Sequence, residues 1–346
     1  MQPIETLIPE LGSGVEGLDA VISAIRSGSR FLVVSHLRPD GDAVGCVTGL
    51  ARSLRKVGKL VDIGLADPPP ERFAFLVDGE CLVKPGELNC DYDVILCLDA
   101  GDASRTGFED DFKLSKGLLI DIDHHASNTR FGEINFLDFG ASSTCEMVTT
   151  LIKAANLPLD PEIAEGLYLG LLTDSRFFQN EKLRPSTHET AAALLATGLD
   201  TAPLLSLLNG GRLPQELKVL GKGLGKLEIE CDGQFAFSVL TQDDLSECGA
   251  TQDNVWACGL FNQLTSVRGV MVSLCVVEGS DGKTYCEFRS RGGFDVKSIA
   301  VAMGGGGHLA ASGCNRAAPL KDVLAEARRL IQEKLGEKNA PSVRKQ

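Results

Sequence analysis

Short apolar runs that end at acidic residues or histidines dominate the first half of the chain. Three runs, residues 31–34, 93–98 and 118–122, predict buried strands, because strands of a parallel sheet are nearly continuous apolar stretches. Apolar residues at helical spacing in residues 18–25 and 44–54 predict helices before and after the first strand. Strands that alternate with helices indicate an α/β fold with a parallel sheet.

Polar side chains that can bind metals follow each of these strands. They are His36, Asp40 and Asp42 after the first strand, Asp99 after the second, and Asp123, His124 and His125 after the third. The carboxyl ends of parallel strands lie along one edge of a sheet, where open α/β sheets bind ligands. Asp174 follows an apolar helix predicted over residues 161–172, where the helix dipole favours a cation, so we expect Asp174 to have another partner.

A second domain is predicted after a segment rich in glycine and proline, residues 198–214, which we interpret as a linker with its own short helix. Beyond it the pattern predicts strands at residues 235–240, 270–277 and 284–289, and helices at residues 255–265, 296–303 and 320–335. We expect a first domain of residues 1–197, a smaller α/β domain of residues 215–335 and a disordered tail of residues 336–346. An active-site cleft is expected between the two domains.

Composition and charge narrow the classes of partner. A net charge of −13 and a pI near 4.9 argue against binding of long nucleic acid, which needs many Lys and Arg contacts to phosphates. The 11 cysteines include no Cys-x-x-Cys pair, which favours reduced, mostly buried thiols. No signal peptide and no apolar run of about 20 residues is present, so we expect a cytoplasmic protein that does not enter the membrane.

The acids and histidines after the strands form a donor set suited to divalent metals. Carboxylates and imidazoles bind Mn²⁺, Mg²⁺ or Zn²⁺, and the absence of cysteine from the set argues against a structural zinc site. Asp40 and Asp42 flank Gly41, so one tight turn can direct them towards two ions about 4 Å apart. Asp99, from an adjacent strand, could bridge those ions.

Each motif taken alone has a simpler explanation. Pro-Asp-Gly-Asp is often a surface turn, an Asp after a strand often caps a helix, and a histidine pair is often only hydrogen-bonded. These explanations require four separate coincidences along one edge of one sheet. The residues together therefore favour a metal site.

Four ordered motifs resemble those of the DHH phosphoesterase superfamily: Ser35-His-Leu-Arg-Pro-Asp-Gly-Asp42, Leu98-Asp-Ala-Gly-Asp102, Asp121-Ile-Asp-His-His125 and Gly170-Leu-Leu-Thr-Asp-Ser175. Phe288-Arg-Ser-Arg291 with Gly304-Gly-Gly-Gly-His308 resembles the companion DHHA1 domain. The resemblance spans about residues 15–320 and is strongest to the nanoRNase/pAp-phosphatase branch. One departure is Ser175-Arg176, where the family more often has a small or polar pair that includes glycine.

The resemblance implies a role for each matching residue. One Mn²⁺ would be held by His36, Asp40 and Asp99, and a second by Asp42, Asp99, His124 and Asp174, with Mg²⁺ or another divalent ion as the alternative. His125 would contact the scissile phosphate and Asp123 would orient the histidines, which makes His125, Asp123 and Asp99 the catalytic residues. The far end of the substrate would be bound by Arg289 and His308 together with Gly305, Gly306 and Gly307, whereas His125 would bind the substrate at the scissile phosphate.

The residues of the second domain independently suit an anion site. Glycine permits close approach of backbone amides to a phosphate, and the guanidinium fork of Arg289 suits bidentate phosphate recognition. A flexible loop with a surface His308 is the simpler alternative for the glycine run.

The resemblance therefore implies an enzyme that degrades short oligoribonucleotides to mononucleotides and converts 3′-phosphoadenosine 5′-phosphate to AMP. Two ions can activate a water, so no protein nucleophile is needed. The alternatives are a cyclic or linear dinucleotide phosphodiesterase and a non-catalytic nucleotide-binding protein. A pyrophosphatase and a processive exonuclease fit the second domain and the acidic charge less well. A homodimer is implied by the family alone.

Overall fold

The structure is a computed structural model that describes residues 17–88, 91–179, 183–210 and 212–339. The chain forms two compact units, Met1–Gly210 and Gly211–Gln346. The boundary between them falls within the predicted linker, residues 198–214. In the described part of the chain, none of the helices is both long enough and apolar enough to cross a membrane.

The first unit is built on one parallel six-stranded sheet. The strands are β1 (Arg30–Val34), β2 (Leu60–Gly64), β3 (Leu82–Val83), β4 (Val94–Leu98), β5 (Leu118–Asp123) and β6 (Ile134–Leu137). Their order is β3-β2-β1-β4-β5-β6, and each neighbouring pair is parallel. The three predicted strands are therefore β1, β4 and β5, and they lie side by side in the middle of the sheet.

Helices accompany this sheet, and most of them contribute to a large apolar core. They are α1 (Leu18–Ser27), α2 (Gly41–Lys56), α3 (Glu109–Leu114), α4 (Thr144–Ala154), α5 (Pro161–Asp174), α6 (Pro185–Leu195) and α7 (Thr201–Asn209), with two 3₁₀ helices at Glu71–Val77 and Ala103–Thr106. Helix α7 is the short helix predicted within the linker. Its Leu204 is buried in the core of the first unit.

Helices α2 and α5 approach closely because both carry glycines at their contact. A Cβ atom added at Gly45 would lie 2.2 Å from the carbonyl oxygen of Gly166, and one at Gly170 would lie 2.9 Å from Oδ1 of Asp42. No larger residue fits at either position without displacing the neighbouring helix. This packing brings the start of α2, with Asp42, beside the end of α5, with Asp174.

The second unit contains a mixed six-stranded sheet. The strands are β7 (Glu228–Glu230), β8 (Phe235–Leu240), β9 (Val272–Glu278), β10 (Thr284–Ser290), β11 (Gly306–His308) and β12 (Ala311–Arg316), in the order β11-β12-β10-β9-β8-β7. Only β8 and β9 are parallel among these pairs. The helices are α8 (Pro214–Gly225), α9 (Gln242–Cys248), α10 (Gln252–Cys258), α11 (Leu260–Ser266), α12 (Lys297–Ala302) and α13 (Leu320–Asn339).

Three details of the second unit differ from the prediction. The helix predicted over residues 255–265 is two helices, α10 and α11, because Gly259 adopts a left-handed conformation with φ of 77°. The glycine run, for which a flexible loop was the simpler alternative, contains strand β11, which pairs with the unpredicted strand β12. Helix α13 continues to Asn339, into the segment expected to be disordered, and residues 340–346 of that segment lie outside the described residues.

The cysteines agree with the prediction of reduced, mostly buried thiols. The structure describes ten of them, all as free thiols, and eight of these are buried. None of them belongs to the donor set at the carboxyl edge of the first sheet.

Candidate metal centre

The predicted donor residues meet at the carboxyl edge of β1, β4 and β5. Strand β4 lies between the other two, with Val34 of β1 paired to Cys97 and Ile122 of β5 paired to Leu98. Asp99 follows β4 directly, so it lies between the residues that follow β1 and those that follow β5. Helix ends complete the site, because Asp42 is in the first turn of α2 and Asp174 is the last residue of α5.

Asp99 is buried and directs its two carboxylate oxygens to different histidines. Its Oδ2 lies 3.5 Å from Nε2 of His36, and its Oδ1 lies 3.6 Å from Nε2 of His124. The backbone of Asp99 is left-handed, with φ of 60°, and its amide donates to the carbonyl of Ile122 over 3.0 Å. Such a conformation costs about 1 kcal/mol for a residue other than glycine, so the fold holds Asp99 there against local preference.

The first group of potential ligands is His36, Asp40 and Asp99, whose ligand atoms all lie within 4.8 Å of one another. His36 donates from Nδ1 to the carbonyl of Leu37 over 2.8 Å, which leaves Nε2 with its lone pair. Asp40 caps α2, since its Oδ1 accepts from the amides of Asp42 and Ala43. Its carboxylate oxygen is also 3.9 Å from Nε2 of His36.

The second group is Asp42, His124 and Asp174, again within 4.8 Å. His124 donates from Nδ1 to the carbonyl of Ala141 over 3.1 Å, so its Nε2 also keeps a lone pair, and this atom lies 3.4 Å from Oδ2 of Asp174. Asp42 accepts from the backbone amides of Thr144, at 2.6 Å, and Cys145, at 2.9 Å. The amino-terminal end of α4 therefore holds the Asp42 carboxylate in place.

These contacts fit a site for cations. Nε2 of His36 and of His124 lies 3.4 to 3.6 Å from carboxyl oxygens. Neutral imidazoles and charged carboxylates at these distances would face each other as acceptors. Burial and the charge of Asp174 raise the pKa of Asp42 to about 8, and burial with the charge of Asp42 raises the pKa of Asp99 well above its usual range. A divalent cation would attract the facing acceptor atoms and would also neutralise the buried carboxylates. The ligand atoms are imidazole nitrogens and carboxylate oxygens, which suit Mn²⁺, Mg²⁺ and Zn²⁺.

His125 also lies within 4.8 Å of Asp99 and His124, but its environment is different. Its Nδ1 donates to Oδ1 of Asp123 over 2.7 Å, and 41% of its side chain is exposed. This hydrogen bond raises the pKa of His125 despite burial. Nε2 of His125 is therefore the ring atom available to a molecule that approaches from solvent.

Asp123 is fully buried behind the two histidines. Its Oδ1 accepts from the His124 amide over 2.9 Å as well as from His125, and its Oδ2 accepts from Nδ2 of Asn128 over 2.8 Å. Burial raises the pKa of Asp123, but the hydrogen bonds from His125 and Asn128 outweigh burial and lower it. The carboxylate thus stays charged and orients His125.

Sequence reasoning missed two residues that support the site. Thr144 donates from its hydroxyl to Oδ1 of Asp99 over 3.0 Å, although it lies at the start of α4, where a hydroxyl residue is expected to cap the helix. The cap is Ser143, which accepts from the Glu146 amide. The sequence did contain a signal for Thr144: residues 142–144 are three consecutive hydroxyl residues, and a helix start needs only one of them as a cap. Asn128 has no pattern of its own and required the structure.

The second unit arranges its predicted binding residues on one sheet. Residues directly opposite in a ladder share a face, and the register places Arg289 opposite Ala311, and Ala311 opposite His308. Gly305 and Gly307 are needed for close packing, because a Cβ at either would lie within 2.6 Å of β12 atoms, whereas Gly306 is open. Arg289 stacks on Phe261, with 4.4 Å from its Cζ to the ring centroid.

Comparison with known proteins agrees with this site. The model of the DHH family, N-terminal domain, matches residues 30–171, and the model of the DHHA1 domain matches residues 244–337. A Thermus thermophilus protein, bifunctional oligoribonuclease and PAP phosphatase NrnA, is 33% identical over 283 residues, covering 81% of this chain and 82% of its own. The cyclic-di-AMP phosphodiesterase GdpP of Geobacillus thermodenitrificans is 26% identical over 91% of this chain and 48% of its own.

The fold has a solved counterpart as well. An exopolyphosphatase-related protein from Bacteroides fragilis superposes with a TM-score of 0.82 at 24% identity, over 94% of this chain and 98% of its own. Fold, donor set and matches define a metal-dependent phosphoesterase. The chain belongs to the DHH family, carries the DHHA1 domain in its second unit and stands in the NrnA-like branch. The predictions of family, fold class and enzymatic nature are confirmed.

Proposed function

We propose that this protein degrades di- to pentanucleotides of RNA to mononucleotides and removes the 3′-phosphate of 3′-phosphoadenosine 5′-phosphate. One observation carries the proposal: Asp99 belongs to the first ligand group through Oδ2, 3.5 Å from Nε2 of His36, and its Oδ1 lies 3.6 Å from Nε2 of His124 in the second group. That arrangement suits two ions that act on one phosphate. The Thermus thermophilus relative, named a bifunctional oligoribonuclease and PAP phosphatase, supports the choice of substrates.

The proposed ligands follow the two groups. One Mn²⁺ would be held by His36, Asp40 and Asp99, and the other by Asp42, His124 and Asp174. Asp99 would be the shared ligand, because its Oδ1 also lies 3.6 Å from Nε2 of His124. When bound, such ions lower the pKa of a water and neutralise charge on the phosphoryl oxygens. The chain itself supplies the geometry: Asp99 joins the two groups, and the carbonyls of Leu37 and Ala141 fix the histidine tautomers.

The remaining residues bind the substrate. His125, oriented by Asp123, donates from Nε2 to an oxygen of the scissile phosphate and so stabilises its developing negative charge. Arg289 and His308, with the backbone of Gly306 and Gly307, bind a phosphate at the other end of the substrate. Gly305, which the sequence also suggested, already donates its amide to the carbonyl of Ala300 over 2.7 Å. A short substrate with two phosphates satisfies both groups of residues, which agrees with the acidic charge of the protein.

A second candidate is hydrolysis of cyclic or linear dinucleotides, which the match to GdpP favours. The test is a panel of initial rates for 3′-phosphoadenosine 5′-phosphate, a linear diribonucleotide, a cyclic dinucleotide and pyrophosphate. Each is measured with Mn²⁺ and with a chelator. We expect the first two substrates to be hydrolysed only with metal. Exclusive turnover of the cyclic dinucleotide would support the second candidate, and turnover of none would contradict both.

A cytoplasmic location and a homodimer remain part of the proposal. The buried free thiols support a reducing compartment. Fractionation of the native host and sedimentation of the purified protein test these two points separately.

A further inference from the structure

Glu287 lies at the centre of the face of the second sheet that carries Arg289. Both residues belong to β10, and residues two apart on a strand point to the same side. The register gives two adjacent rows across the sheet: Arg289, Ala311 and His308 in one, and Glu287, Gly313 and Gly306 in the other. The surface of the sheet between Arg289 and β11, the glycine strand, is formed by Ala311, Gly313 and Glu287. We call this surface the floor, and Glu287 is its only large residue among those described.

The carboxylate of Glu287 contacts both sides of this floor. Its Oε2 accepts from Nη1 of Arg289 over 2.8 Å, and its Oε1 lies 2.9 Å from where a Cβ of Gly313 would be. Gly313 pairs in turn with Gly306 of β11. Within the described chain Arg289 is the only ion-pair partner of Glu287. The negative charge thus lies between Arg289 and the glycine strand.

Part of the Arg289 guanidinium already has partners within the second unit. Nη1 donates to Glu287 and to the carbonyl of Phe288 over 3.0 Å, and one face of the guanidinium lies on Phe261. No hydrogen bond joins Nη2 or Nε to any residue that the structure describes. These two groups form the edge of the fork that can grip a phosphate in two-point fashion. An anion bound at that edge would lie roughly 6 Å from the Glu287 carboxylate, given the size of the guanidinium.

We infer that Glu287 lowers the affinity of Arg289 for a terminal phosphate. Glu287 thereby sets how strongly the protein prefers substrates with a terminal phosphate over substrates without it. A terminal phosphomonoester brings close to two negative charges, whereas a 5′-hydroxyl brings none, so only the phosphorylated substrate is repelled. At roughly 6 Å in a dielectric of about 40 to 80, each unit of charge changes affinity about threefold to tenfold. This inference rests on the proposed role of Arg289 in binding the far phosphate.

The function of such a restraint follows from the proposed reaction. Hydrolysis of 3′-phosphoadenosine 5′-phosphate leaves a product that keeps its 5′-phosphate, so the group bound by Arg289 is the same before and after reaction. A higher affinity of Arg289 for the 5′-phosphate would strengthen binding of the product as much as binding of the substrate. Glu287 therefore favours release of the nucleoside 5′-monophosphate.

The experiment compares two substrates with the same scissile bond, 3′-phosphoadenosine 5′-phosphate and adenosine 3′-monophosphate, which differ only in the 5′-phosphate. For Glu287→Gln we expect KM for the first substrate, whose 5′-phosphate carries close to two charges, to fall about tenfold to a hundredfold, with little change in KM for the second. Inhibition by adenosine 5′-monophosphate should strengthen by a similar factor. For Arg289→Gln we expect the preference for the 5′-phosphate to be lost, and adding Glu287→Gln to it should have no further effect.

The control is Glu333→Gln, which removes a comparable pair with Arg329, at 2.8 Å, on the exposed surface of α13. It should behave as the wild type. The inference about Glu287 is wrong if Glu287→Gln leaves the preference for the 5′-phosphate unchanged or weakens that preference. If Arg289→Gln abolishes the preference in the same experiment, the proposed role of Arg289 is still supported. If Arg289→Gln has no effect either, both are wrong. If neither substrate is hydrolysed, the proposed function fails, and calorimetric binding of both nucleotides to the same variants still decides the role of Glu287.

Discussion

Thr144, the first residue of α4, donates a hydrogen bond from its hydroxyl to Oδ1 of Asp99. The amide of the same residue donates to Asp42. One residue at a helix start therefore positions a carboxylate from each of the two ligand groups.

Thr144→Val should lower turnover about tenfold to a hundredfold and weaken Mn²⁺ binding, because an outer-shell hydrogen bond of this kind orients the ligand it contacts. The shape of the side chain is kept and only the hydroxyl is lost. Thr144→Ser keeps the hydroxyl and should retain most activity. Initial rates against Mn²⁺ concentration measure the effect. Equal rates for the Val and Ser variants would show that Asp99 needs no such support.

Asp123→Asn should lower turnover about a hundredfold, since the amide no longer fixes His125 as a charged carboxylate does. Mn²⁺ affinity should change less, because Asp123 belongs to neither ligand group. The matched control is Asp121→Asn, two residues earlier on β5, whose carboxyl also accepts from Asn128 but forms no hydrogen bond or ion pair with His125 in the described structure. Rates and calorimetric Mn²⁺ binding are compared for both. A loss of metal binding equal to the loss of rate would make Asp123 a ligand.

Arg176→Gly should be more stable than Arg176→Ala by about 1 kcal/mol. Arg176 is exposed and left-handed, with φ of 51°, and glycine adopts this conformation without the steric cost that alanine keeps. Both variants remove the same side chain, so their difference isolates the backbone. Urea unfolding gives the two free energies. Equal stabilities would mean that the segment after Asp174 relaxes to another conformation.

Asp244→Asn should destabilise the second unit at neutral pH but not in strong acid. Burial raises the pKa of Asp244, but hydrogen bonds from Lys226 and Thr241 outweigh burial and lower it to about 2. A carboxyl with a lowered folded-state pKa contributes stability above its unfolded value of about 3.9, and loses it as the pH falls towards 2. The contribution is at most about 2.5 kcal/mol, and the partly exposed lysines reduce it.

Urea unfolding of the wild type and the variant between pH 2 and pH 7 measures this contribution. Asp243→Asn, at an exposed neighbouring position on α9, is the control and should have little effect. A difference between the wild type and Asp244→Asn that does not shrink below pH 4 would assign the effect to packing instead of charge.

Much of the first unit could be predicted from the sequence, for a physical reason. Apolar runs specified β1, β4 and β5, and parallel strands necessarily bring Asp99 and His124 to one edge. The contacts that arrange this edge were not predictable. The left-handed backbone of Asp99 and the reach of Thr144 depend on packing between segments far apart in the chain.

In the second unit, β8, β9 and β10 lie where the sequence predicted strands, whereas β12 was missed because its pattern is weak. Strand β12, Ala-Ser-Gly-Cys-Asn-Arg, has little apolar alternation, and its pairing with β11 follows from glycines that let the strands approach. The contact of Glu287 with Arg289 also needed the register. The sequence shows that Glu287 and Arg289 are two residues apart in a predicted strand. It does not show that Gly313 lies opposite Glu287.

The central claim is that Asp99 joins two metal sites. Asp99→Asn leaves a single side-chain oxygen, which cannot serve both ligand groups as the two carboxylate oxygens do. The decisive measurement is the number of Mn²⁺ ions bound per chain, by calorimetry, in the wild type, His36→Ala, Asp174→Ala and Asp99→Asn, with folding checked by circular dichroism. We expect two ions in the wild type, one in His36→Ala and in Asp174→Ala, and at most one weakly bound ion in Asp99→Asn, with turnover lower by about a thousandfold. Two tightly bound ions and wild-type turnover in Asp99→Asn would contradict the account.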